Sequence, residues 1–155
     1  LHQEGKGFTV AMRALDSGRI GISAQALGIG QGAFNEALAF TREREQFGQP
    51  IVAFQGVSWM LADMATRLEA ARRLIYHSAD LCSRGLPFTR EASMAKVFTT
   101  DTAMAVATDA LQLAGGYGYV EDYPFERFFR DAKACQIYEG SNQVQRIVIA
   151  REILR

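Results

Sequence analysis

One glutamate is placed where a carboxylate could act as a base. Glu139 lies in the segment Ile137-Tyr138-Glu139-Gly140-Ser141, between apolar residues and a glycine. Apolar surroundings disfavour the ionised form of a carboxylate, which suits a general base that works near neutral pH. The competing interpretation is an acidic residue at the start of a helix, where the helix dipole stabilises negative charge. Spacing alone favours this second interpretation.

Other residues that often carry chemistry have weaker contexts. The stretch Gly28-Ile29-Gly30-Gln31-Gly32 has glycines like those of a dinucleotide-binding loop, but it follows no predicted strand. We interpret these glycines, with Gly21, as positions where another helix approaches closely. His2 and His77 have no further ligand at metal-binding spacing, so no metal site is predicted.

The segments around the remaining polar clusters favour ordinary structural roles. Cys82 and Cys135 are far apart and are interpreted as two reduced thiols. The run Arg42-Glu43-Arg44-Glu45 has the mixed charges of a solvated helix end. Phe47, beside the helix-ending Gly48, is the unusual feature of that region.

Composition limits the classes of function. The chain has 155 residues, 48% hydrophobic and 22% charged, which suits one folded domain. Seventeen basic side chains balance seventeen acidic ones, so there is no overall charge to attract nucleic acid or an anionic membrane. The segment at Leu1 has neither the pattern of a signal peptide nor an initiator Met, and we expect a piece of a longer protein.

Helical periodicity dominates the chain, and its blocks end at prolines. The first block runs from Leu15 to Gly48-Gln49-Pro50, the second from Val57 to Gly85-Leu86-Pro87, and the third from Thr89 to Ala114. The predicted buried face of the first block is Leu15, Ile22, Ala26, Ile29, Ala33, Ala37 and Phe40. That of the second block is Val57, Met60, Leu61, Met64, Leu68, Ala71 and Ile75. That of the third block is Ala95, Phe98, Val106, Ala110 and Leu113.

The last part of the chain completes the predicted fold. Gly115-Gly116-Tyr117-Gly118 interrupts the third block, a short helix is expected from Tyr123-Pro124, and Ser141 is the expected N-cap of a helix over 142–154. No alternating stretch is long enough for a sheet. Long helices with short connections predict an all-α, up-down four-helix bundle that carries Glu139 before its last helix.

Four segments together resemble the acyl-CoA dehydrogenase family, in the order and spacing of that family. They are Leu15-Asp16-Ser17-Gly18-Arg19-Ile20-Gly21, Arg44-Glu45-Gln46-Phe47-Gly48, Gln112-Leu113-Ala114-Gly115-Gly116-Tyr117-Gly118, and Arg130-Asp131-Ala132-Lys133 leading to Ile137-Tyr138-Glu139-Gly140-Ser141. The resemblance covers nearly the whole chain. It implies that residues 1–155 are the C-terminal helical-bundle domain of a longer enzyme, whose N-terminal helical and middle β-domains are absent here.

The resemblance also implies a reaction and reverses the interpretation of Glu139. Such enzymes introduce an α,β double bond into an acyl-CoA thioester, with FAD as the hydride acceptor. Glu139 matches the catalytic base of short- and medium-chain members, while some relatives place the base at the position matching Gly18, where glycine cannot serve. Gly140 matches a position that touches substrate, and Asp16 and Arg19 match residues that line the CoA portion. A helix-capping or intrahelical ion pair remains the alternative for those two.

Several further positions match contacts to the flavin. Those matching contacts to the FAD of a neighbouring subunit are Arg44, Phe47, Gln55, Gln112 and Gly116. Ser141 and Gln143 match residues at the FAD of the chain's own subunit. Shared cofactor contacts imply a homo-oligomer, a dimer or a tetramer.

The expected electron acceptor is an electron-transfer flavoprotein, and the motifs lean toward the short-chain, butyryl-CoA-like branch. The location expected from the resemblance is the cytoplasm of a bacterium or the mitochondrial matrix of a eukaryote. An oxidase-like relative, a relative that acts on branched or aromatic acyl groups, and a non-catalytic helical assembly domain are the alternatives. The isolated chain is expected to be inactive.

Overall fold

The computed structural model describes residues 4–155, so His2 lies outside the described residues. Within that range the chain forms α1 (Gly7–Glu43), a hairpin of β1 (Glu45–Gln46) and β2 (Gln49–Pro50), α2 (Gln55–Ser83), α3 (Thr89–Ala114), α4 (Gly116–Tyr119), α5 (Phe125–Cys135) and α6 (Asn142–Ile153). A single 3-10 turn, Ile51–Ala53, joins the hairpin to α2. No described helix is long and apolar enough to cross a membrane.

Side-chain contacts fix the directions of the first three helices. Arg19 on α1 lies within hydrogen-bond distance of Ser93 on α3, and Gly30 lies against Ala103 further along both helices, so α1 and α3 run parallel. On α2, Leu68 also lies against Gly30.

The second helix runs the opposite way. Cys82 at the end of α2 lines one surface cleft with Thr89 at the start of α3. The earlier Arg67 of α2 pairs with Asp109 near the end of α3. A helix whose early residues meet the late residues of its neighbour is antiparallel to it. The order of α1, α2 and α3 is therefore up, down, up, as predicted.

The fourth arm of the bundle is made of two helices, α5 and α6. Phe128 on α5 contacts Gly32 and the following Tyr138 donates to Gln25, so α5 is antiparallel to α1. Asn142 begins α6 beside Thr100, and α6 then runs back along α3 until Glu152 shares a cleft with Phe88 and Arg90. The fourth arm is therefore interrupted at residues 136–141, and the predicted four-helix bundle is confirmed.

The core is built around α3, which packs against α1, α2, α5 and α6. Many of its buried residues are alanines, whose small side chains allow close approach of the neighbouring helices. It also buries polar side chains, among them Ser93, Lys96 and Thr100. The prediction that Phe98 belongs to the buried face is wrong, because its side chain is 39% exposed. The core side of that turn is occupied by polar residues instead.

Two of the four glycines assigned to close helix contact do have that role. A Cβ atom at Gly30 would lie 3.0 Å from Leu68 Cδ2 and 3.4 Å from Ala103 Cα, and one at Gly32 would lie 3.0 Å from Phe128 Cε1. The prediction is wrong for Gly21 and Gly28, because no described atom lies within 4 Å of a Cβ placed there.

The hairpin after α1 was not predicted. Phe47 and Gly48, its two turn residues, both have positive φ, 53° and 82°, as a two-residue turn that matches strand twist requires. The strands are too short to show alternation. Ser141 does occupy the N-cap position of α6, with φ −56° and ψ 158°, but its side chain makes no capping hydrogen bond.

Candidate active site

Glu139 lies in the break between α5 and α6, and its backbone is in an unusual conformation. Its φ is 56°, and that of Gly140 is 86°. A left-handed conformation is uncommon for a residue with a side chain and persists only where the surrounding structure holds it. Two consecutive left-handed residues reverse the chain here, so the Glu139 side chain projects toward α1 rather than into solvent.

The carboxylate of Glu139 lies against Gly18 on α1. A Cβ atom at Gly18 would stand 2.8 Å from Oε2 and 3.3 Å from Cδ of Glu139. The structure therefore brings together the two positions that the resemblance links as alternative sites of the base. Glycine at position 18 leaves the space that the carboxylate occupies.

The turn presents unpaired backbone donors. Among the backbone hydrogen bonds found outside helices and strands in residues 4–155, none is donated by the N–H groups of Glu139, Gly140 or Ser141. Free N–H groups just before a helix start are suited to binding an anionic or strongly polarised oxygen. The carboxylate and a set of such donors thus occur in the same turn.

The carbonyl groups of the turn are, in contrast, bonded to two buried side chains. Lys96 Nζ donates to Gly140 O at 3.0 Å and to Asn142 Oδ1 at 2.9 Å. Gln145 Nε2 donates to Glu139 O at 3.1 Å and to Gly140 O at 3.0 Å. Both side chains are 0% exposed, and the sequence motifs pointed to neither of them.

Burial has a large effect on Lys96. It lowers the pKa of the ammonium group from 10.5 to about 8, although the nearby Cys135, Asp101 and Glu139 raise it in part. A buried lysine is rare and is usually paired or hydrogen-bonded. Here the ammonium group is held by oxygens of the turn and of α6.

Asn142 connects this lysine to a wider polar network. Its amide Nδ2 donates to Thr100 Oγ1 at 2.9 Å and to Asp101 Oδ1 at 2.7 Å. Asp101 also accepts from Gln136 and from Arg146, which lie on either side of the turn. The network therefore ties both ends of the break to α3.

The opposite side of the turn is tied to α1 through Tyr138. Its hydroxyl donates to Gln25 Oε1 at 2.9 Å and lies 3.3 Å from Cys135 Sγ. Burial, together with the thiol of Cys135, raises the pKa of Tyr138 to about 12. The hydroxyl accordingly stays protonated and keeps its role as a donor at neutral pH.

Asp16 and Arg19 form the ion pair that was the alternative to a ligand-binding role. Arg19 Nη1 lies 2.7 Å from Asp16 Oδ1, and Thr89 donates to Asp16 Oδ2 at 2.7 Å. Burial lowers the pKa of Arg19, while the charges of Asp16 and then Glu139 act against that shift. Arg19 Nε is buried without a hydrogen-bond partner. The contact of both residues with CoA stays a prediction.

A second group of predicted residues lies at the far end of α1. Arg44 caps α1 and stacks over the ring of Tyr117, with its guanidinium carbon 5.4 Å from the ring centroid. Arg44 and Gly116 line one surface cavity of about 260 Å³. Position 43 lies 25 residues beyond Gly18, which corresponds to roughly 38 Å along the helix. These residues are therefore remote from Glu139.

Phe47, Gln55 and Gln112 complete that group. All three are exposed, and Phe47 is 94% exposed on a left-handed backbone. A bulky aromatic side chain in this conformation is an outlier of the kind that clusters at ligand-binding sites. Its only ring contact among the described residues is Phe54, at 6.2 Å between centroids.

Ser141 and Gln143 lie next to Glu139, at the start of α6. They line a polar cleft of about 480 Å³ together with Lys133, Gln136 and Arg146. Asp101 also lines this cleft and pairs with Arg146 at 3.1 Å, so Lys133 is the cation there that has no carboxylate partner in the cleft. Within residues 4–155 no group of three or more His, Cys, Asp or Glu side chains is arranged to hold a metal ion.

Comparison with known proteins shows which proteins this chain is similar to. The family model described as acyl-CoA dehydrogenase, C-terminal domain, matches residues 5–154. The short-chain-specific acyl-CoA dehydrogenase of Clostridium acetobutylicum is 56% identical over 155 residues, which are 100% of this chain and 41% of that protein. The chain thus spans about two fifths of the length of the curated relatives it matches.

Two solved structures have nearly the same fold. Butyryl-CoA dehydrogenase from Megasphaera elsdenii superposes with a TM-score of 0.98 at 51% identity, over 99% of this chain and 40% of that one. A chain in the structure of the electron transferring flavoprotein of Acidaminococcus fermentans, studied for flavin-based electron bifurcation, has a TM-score of 0.97 at 57% identity. That match covers 99% of this chain and 40% of the other.

Proposed function

Because this chain belongs to the acyl-CoA dehydrogenase family, as its C-terminal domain, we propose that it supplies the catalytic base for α,β-dehydrogenation of an acyl-CoA thioester. Glu139 is the proposed base. The enzyme that contains it is proposed to be about as long as the relatives, of which the chain spans about two fifths. A short acyl chain is the proposed substrate class, in line with the names of the similar proteins.

The observation that carries this proposal is the pairing of a carboxylate with free N–H donors in one turn. The α-proton of a thioester is only weakly acidic, so its removal requires polarisation of the carbonyl oxygen by fixed donors. The N–H of Glu139, which is bonded to no backbone acceptor, is suited to that role. The carboxylate of the same residue then receives the α-proton.

The step balances with a two-electron acceptor. The α C–H bond breaks and gives its proton to Glu139, while the β C–H bond gives a hydride and the C=C bond forms. FAD, when bound, supplies the acceptor for that hydride. Ser141 and Gln143 are the proposed contacts to it from this chain, because they line a polar cleft with Lys133 and Arg146 beside Glu139.

The remaining predicted residues fall into two proposed roles. Gly140, with φ 86°, is proposed to touch the thioester through its backbone, since a Cβ atom placed there would lie 2.6 Å from Gln145 Nε2. Asp16 and Arg19 are proposed to line the CoA portion. Arg44, Phe47, Gln55, Gln112 and Gly116 are proposed to contact the FAD of a second copy. Their distance of roughly 38 Å along α1 from the base supports this division.

We further propose that the enzyme is a homo-oligomer and passes electrons to an electron-transfer flavoprotein. Support for the oligomer comes from large apolar side chains on outer helix faces, among them Trp59 on α2 and Ile147 on α6, which are 63% and 68% exposed. Support for the partner comes from the match to a chain in the electron transferring flavoprotein structure.

The test uses the full-length enzyme with its flavin. Butyryl-CoA is added anaerobically, and bleaching of the visible flavin band is followed by stopped flow for the wild type and for Glu139→Gln. We expect fast bleaching in the wild type and a loss of roughly 10³-fold or more in the variant, because the amide cannot accept the proton.

The outcomes separate mechanism from substrate. Bleaching only with a longer or branched thioester retains the mechanism and changes the substrate class. Bleaching that persists in Glu139→Gln places the base elsewhere and rejects the central assignment.

A further inference from the structure

Two buried side chains from different helices converge on the two carbonyl groups of the catalytic turn. Lys96 reaches Gly140 O from the middle of α3, and Gln145 reaches both Glu139 O and Gly140 O from the first turn of α6. The contacts span 44 residues of sequence in one case and only five or six in the other. Neither side chain has a place in the reaction proposed above.

The planarity of the peptide group gives these bonds a directional consequence. In a trans peptide the C=O of one residue and the N–H of the next point in opposite directions. Carbonyls of Glu139 and Gly140 that are held inward therefore turn the N–H groups of Gly140 and Ser141 outward, where no backbone acceptor meets them. The bond from Gln145 to Glu139 O fixes the peptide plane that follows the Glu139 Cα atom, and hence the direction of its side chain. The bonds from Lys96 and Gln145 to Gly140 O fix the next plane.

The turn needs such restraint because its conformation is unfavourable in isolation. Glu139 at φ 56° carries the steric conflict of a left-handed residue with a Cβ atom. Without inward partners, rotation of the Glu139–Gly140 peptide would relieve that conflict and move the carboxylate away from Gly18. A residue in a strained conformation persists only where surrounding contacts hold it. Here Gln145 holds the carbonyl of Glu139, and Lys96 and Gln145 together hold the carbonyl of Gly140.

We infer that Lys96 and Gln145 are positioning residues for the catalytic turn, which hold the Glu139 and Gly140 carbonyls inward so that the carboxylate faces Gly18. This inference rests on the proposed role of Glu139 as the base. Neither residue is expected to touch the substrate.

The two side chains differ in how they are themselves held. Lys96 is also bonded to Asn142 Oδ1, and the network through Thr100 and Asp101 keeps that acceptor in place. Gln145 Oε1 is buried without a partner, so its amide is oriented mainly by the two carbonyls that it serves. Loss of Gln145 therefore frees the Glu139 carbonyl itself, whereas loss of Lys96 frees the Gly140 carbonyl on the side of the network.

The experiment compares Lys96→Met and Gln145→Met in the full-length, flavin-containing enzyme. Methionine keeps an unbranched apolar chain and removes the donor. Met64→Ala, a fully buried substitution on α2, serves as the control for general destabilisation. For each variant, thermal unfolding, the butyryl-CoA dissociation constant and the flavin reduction rate at saturating butyryl-CoA are measured.

We expect both methionine variants to reduce flavin roughly 10- to 100-fold more slowly at saturation, because a displaced base loses its alignment with the α-proton. Substrate affinity should stay close to that of the wild type. Met64→Ala should unfold at lower temperature and keep the wild-type reduction rate. Loss of rate in step with loss of stability in all three variants would overturn the positioning role.

The split between reduction rate and substrate affinity is a readout that a purely structural role would not give. A loss of packing alone would weaken butyryl-CoA binding together with the rate, whereas a displaced base lowers the rate at saturation and leaves the dissociation constant unchanged. If Lys96→Met fails to fold, Gln145→Met tests the inference by its rate alone.

The outcomes also distinguish this inference from the proposed function. If Glu139→Gln abolishes reduction and both methionine variants match the wild type, the base assignment stands and the positioning role is rejected. If Glu139→Gln stays active, the base assignment itself fails and the inference fails with it.

Discussion

At Glu139 and Phe47 the backbone takes a left-handed conformation that residues with side chains seldom adopt. These are the non-glycine residues with positive φ among residues 4–155, and both belong to motifs that resemble the flavoenzyme family. Glu139 is held inward by hydrogen bonds, while Phe47 projects almost fully into solvent. The strain therefore coincides with two proposed ligand-contacting positions at opposite ends of α1.

The Glu139 carboxylate lies against Gly18, so adding a single methyl group at that position tests its placement. Gly18→Ala should stabilise α1 by about 0.5–1 kcal/mol, because alanine replaces glycine inside a helix. Its Cβ atom would stand 2.8 Å from Glu139 Oε2, so the flexible carboxylate must move away. We expect an unchanged or higher unfolding temperature together with a flavin reduction rate lowered by roughly 10-fold or more.

The matched control is Gly28→Ala on the same helix, where no described atom lies within 4 Å of the new Cβ. It should give a similar gain in stability and leave the reduction rate unchanged. Thermal unfolding and stopped-flow reduction with butyryl-CoA measure both effects. A Gly18→Ala enzyme as fast as the wild type would show that the carboxylate does not depend on this space.

At the scale of the elements, the sequence predicted α2 and α3 well because each ends at a strong signal. The bounds of the first block were wrong, because α1 begins at Gly7, before Leu15, and ends at Glu43, before Gly48. The third block was predicted as Thr89 to Ala114, and α3 has those bounds. Pro87 precedes it, and Gly115, with φ 59°, ends it. The break that carries Glu139 was also located, since Ser141 is the N-cap of α6.

The residues that support the site could not be predicted in the same way. Lys96 lies in an alanine-rich helix whose apolar spacing placed Phe98 in the core, yet Lys96 is 0% exposed and Phe98 is 39% exposed. Lys96 can be buried because a turn distant in the sequence supplies its hydrogen-bond acceptors. The periodicity of a single helix contains no information about such a contact. Gln145 and the Asp101 network depend on tertiary contacts in the same sense, and no local signal marks them.

The buried lysine of α3 makes stability depend on pH in a definite direction. Its pKa is 10.5 when exposed in the unfolded chain and about 8 in the folded protein. Between these values the unfolded chain binds more protons, so the free energy of unfolding rises with pH. The cost of burying the charged group is thus fully present below pH 8 and is relieved as the pH approaches 10.5.

Lys96→Met removes this titration. Between about pH 8 and pH 10.5, the free energy of unfolding of the wild type should therefore rise relative to that of the variant. Urea unfolding of both proteins across that range measures the difference, and other titrating groups cancel in the comparison. A difference that is independent of pH would mean that Lys96 keeps its ordinary pKa when folded.

At the scale of the whole molecule, the bundle separates two sets of predicted residues by its length. Glu139, Gly18, Ser141 and Gln143 lie around the break in the fourth arm, whereas Arg44 and Gly116 lie near the other end of α1. A flavin ring at Glu139 is thus remote from Arg44 in the same copy. If both sets bind FAD, they serve cofactors that lie between copies of the chain.

This division predicts complementation between two defective enzymes. Glu139→Gln lacks the base but keeps Arg44, and Arg44→Glu keeps the base but presents a negative charge where the flavin phosphates of a neighbour are proposed to bind. In a mixed dimer, one site combines both defects, and the other combines an intact Glu139 with an intact Arg44 from the second copy. A two-fold arrangement therefore restores about half of the sites in each mixed dimer, although both parent enzymes are inactive.

The two full-length variants carry different affinity tags and are co-expressed. The doubly tagged oligomer is purified, and its flavin content and the rate of flavin reduction by butyryl-CoA are measured. Activity above that of either parent would support cofactor contacts shared across the interface. The control is a chain that carries both substitutions, co-expressed with the wild-type chain. Each mixed dimer then has one defect in each of its two sites, so neither site is restored. Equal inactivity of the mixed oligomer and its parents would assign Arg44 to the same site as Glu139, against the separation that the length of α1 imposes.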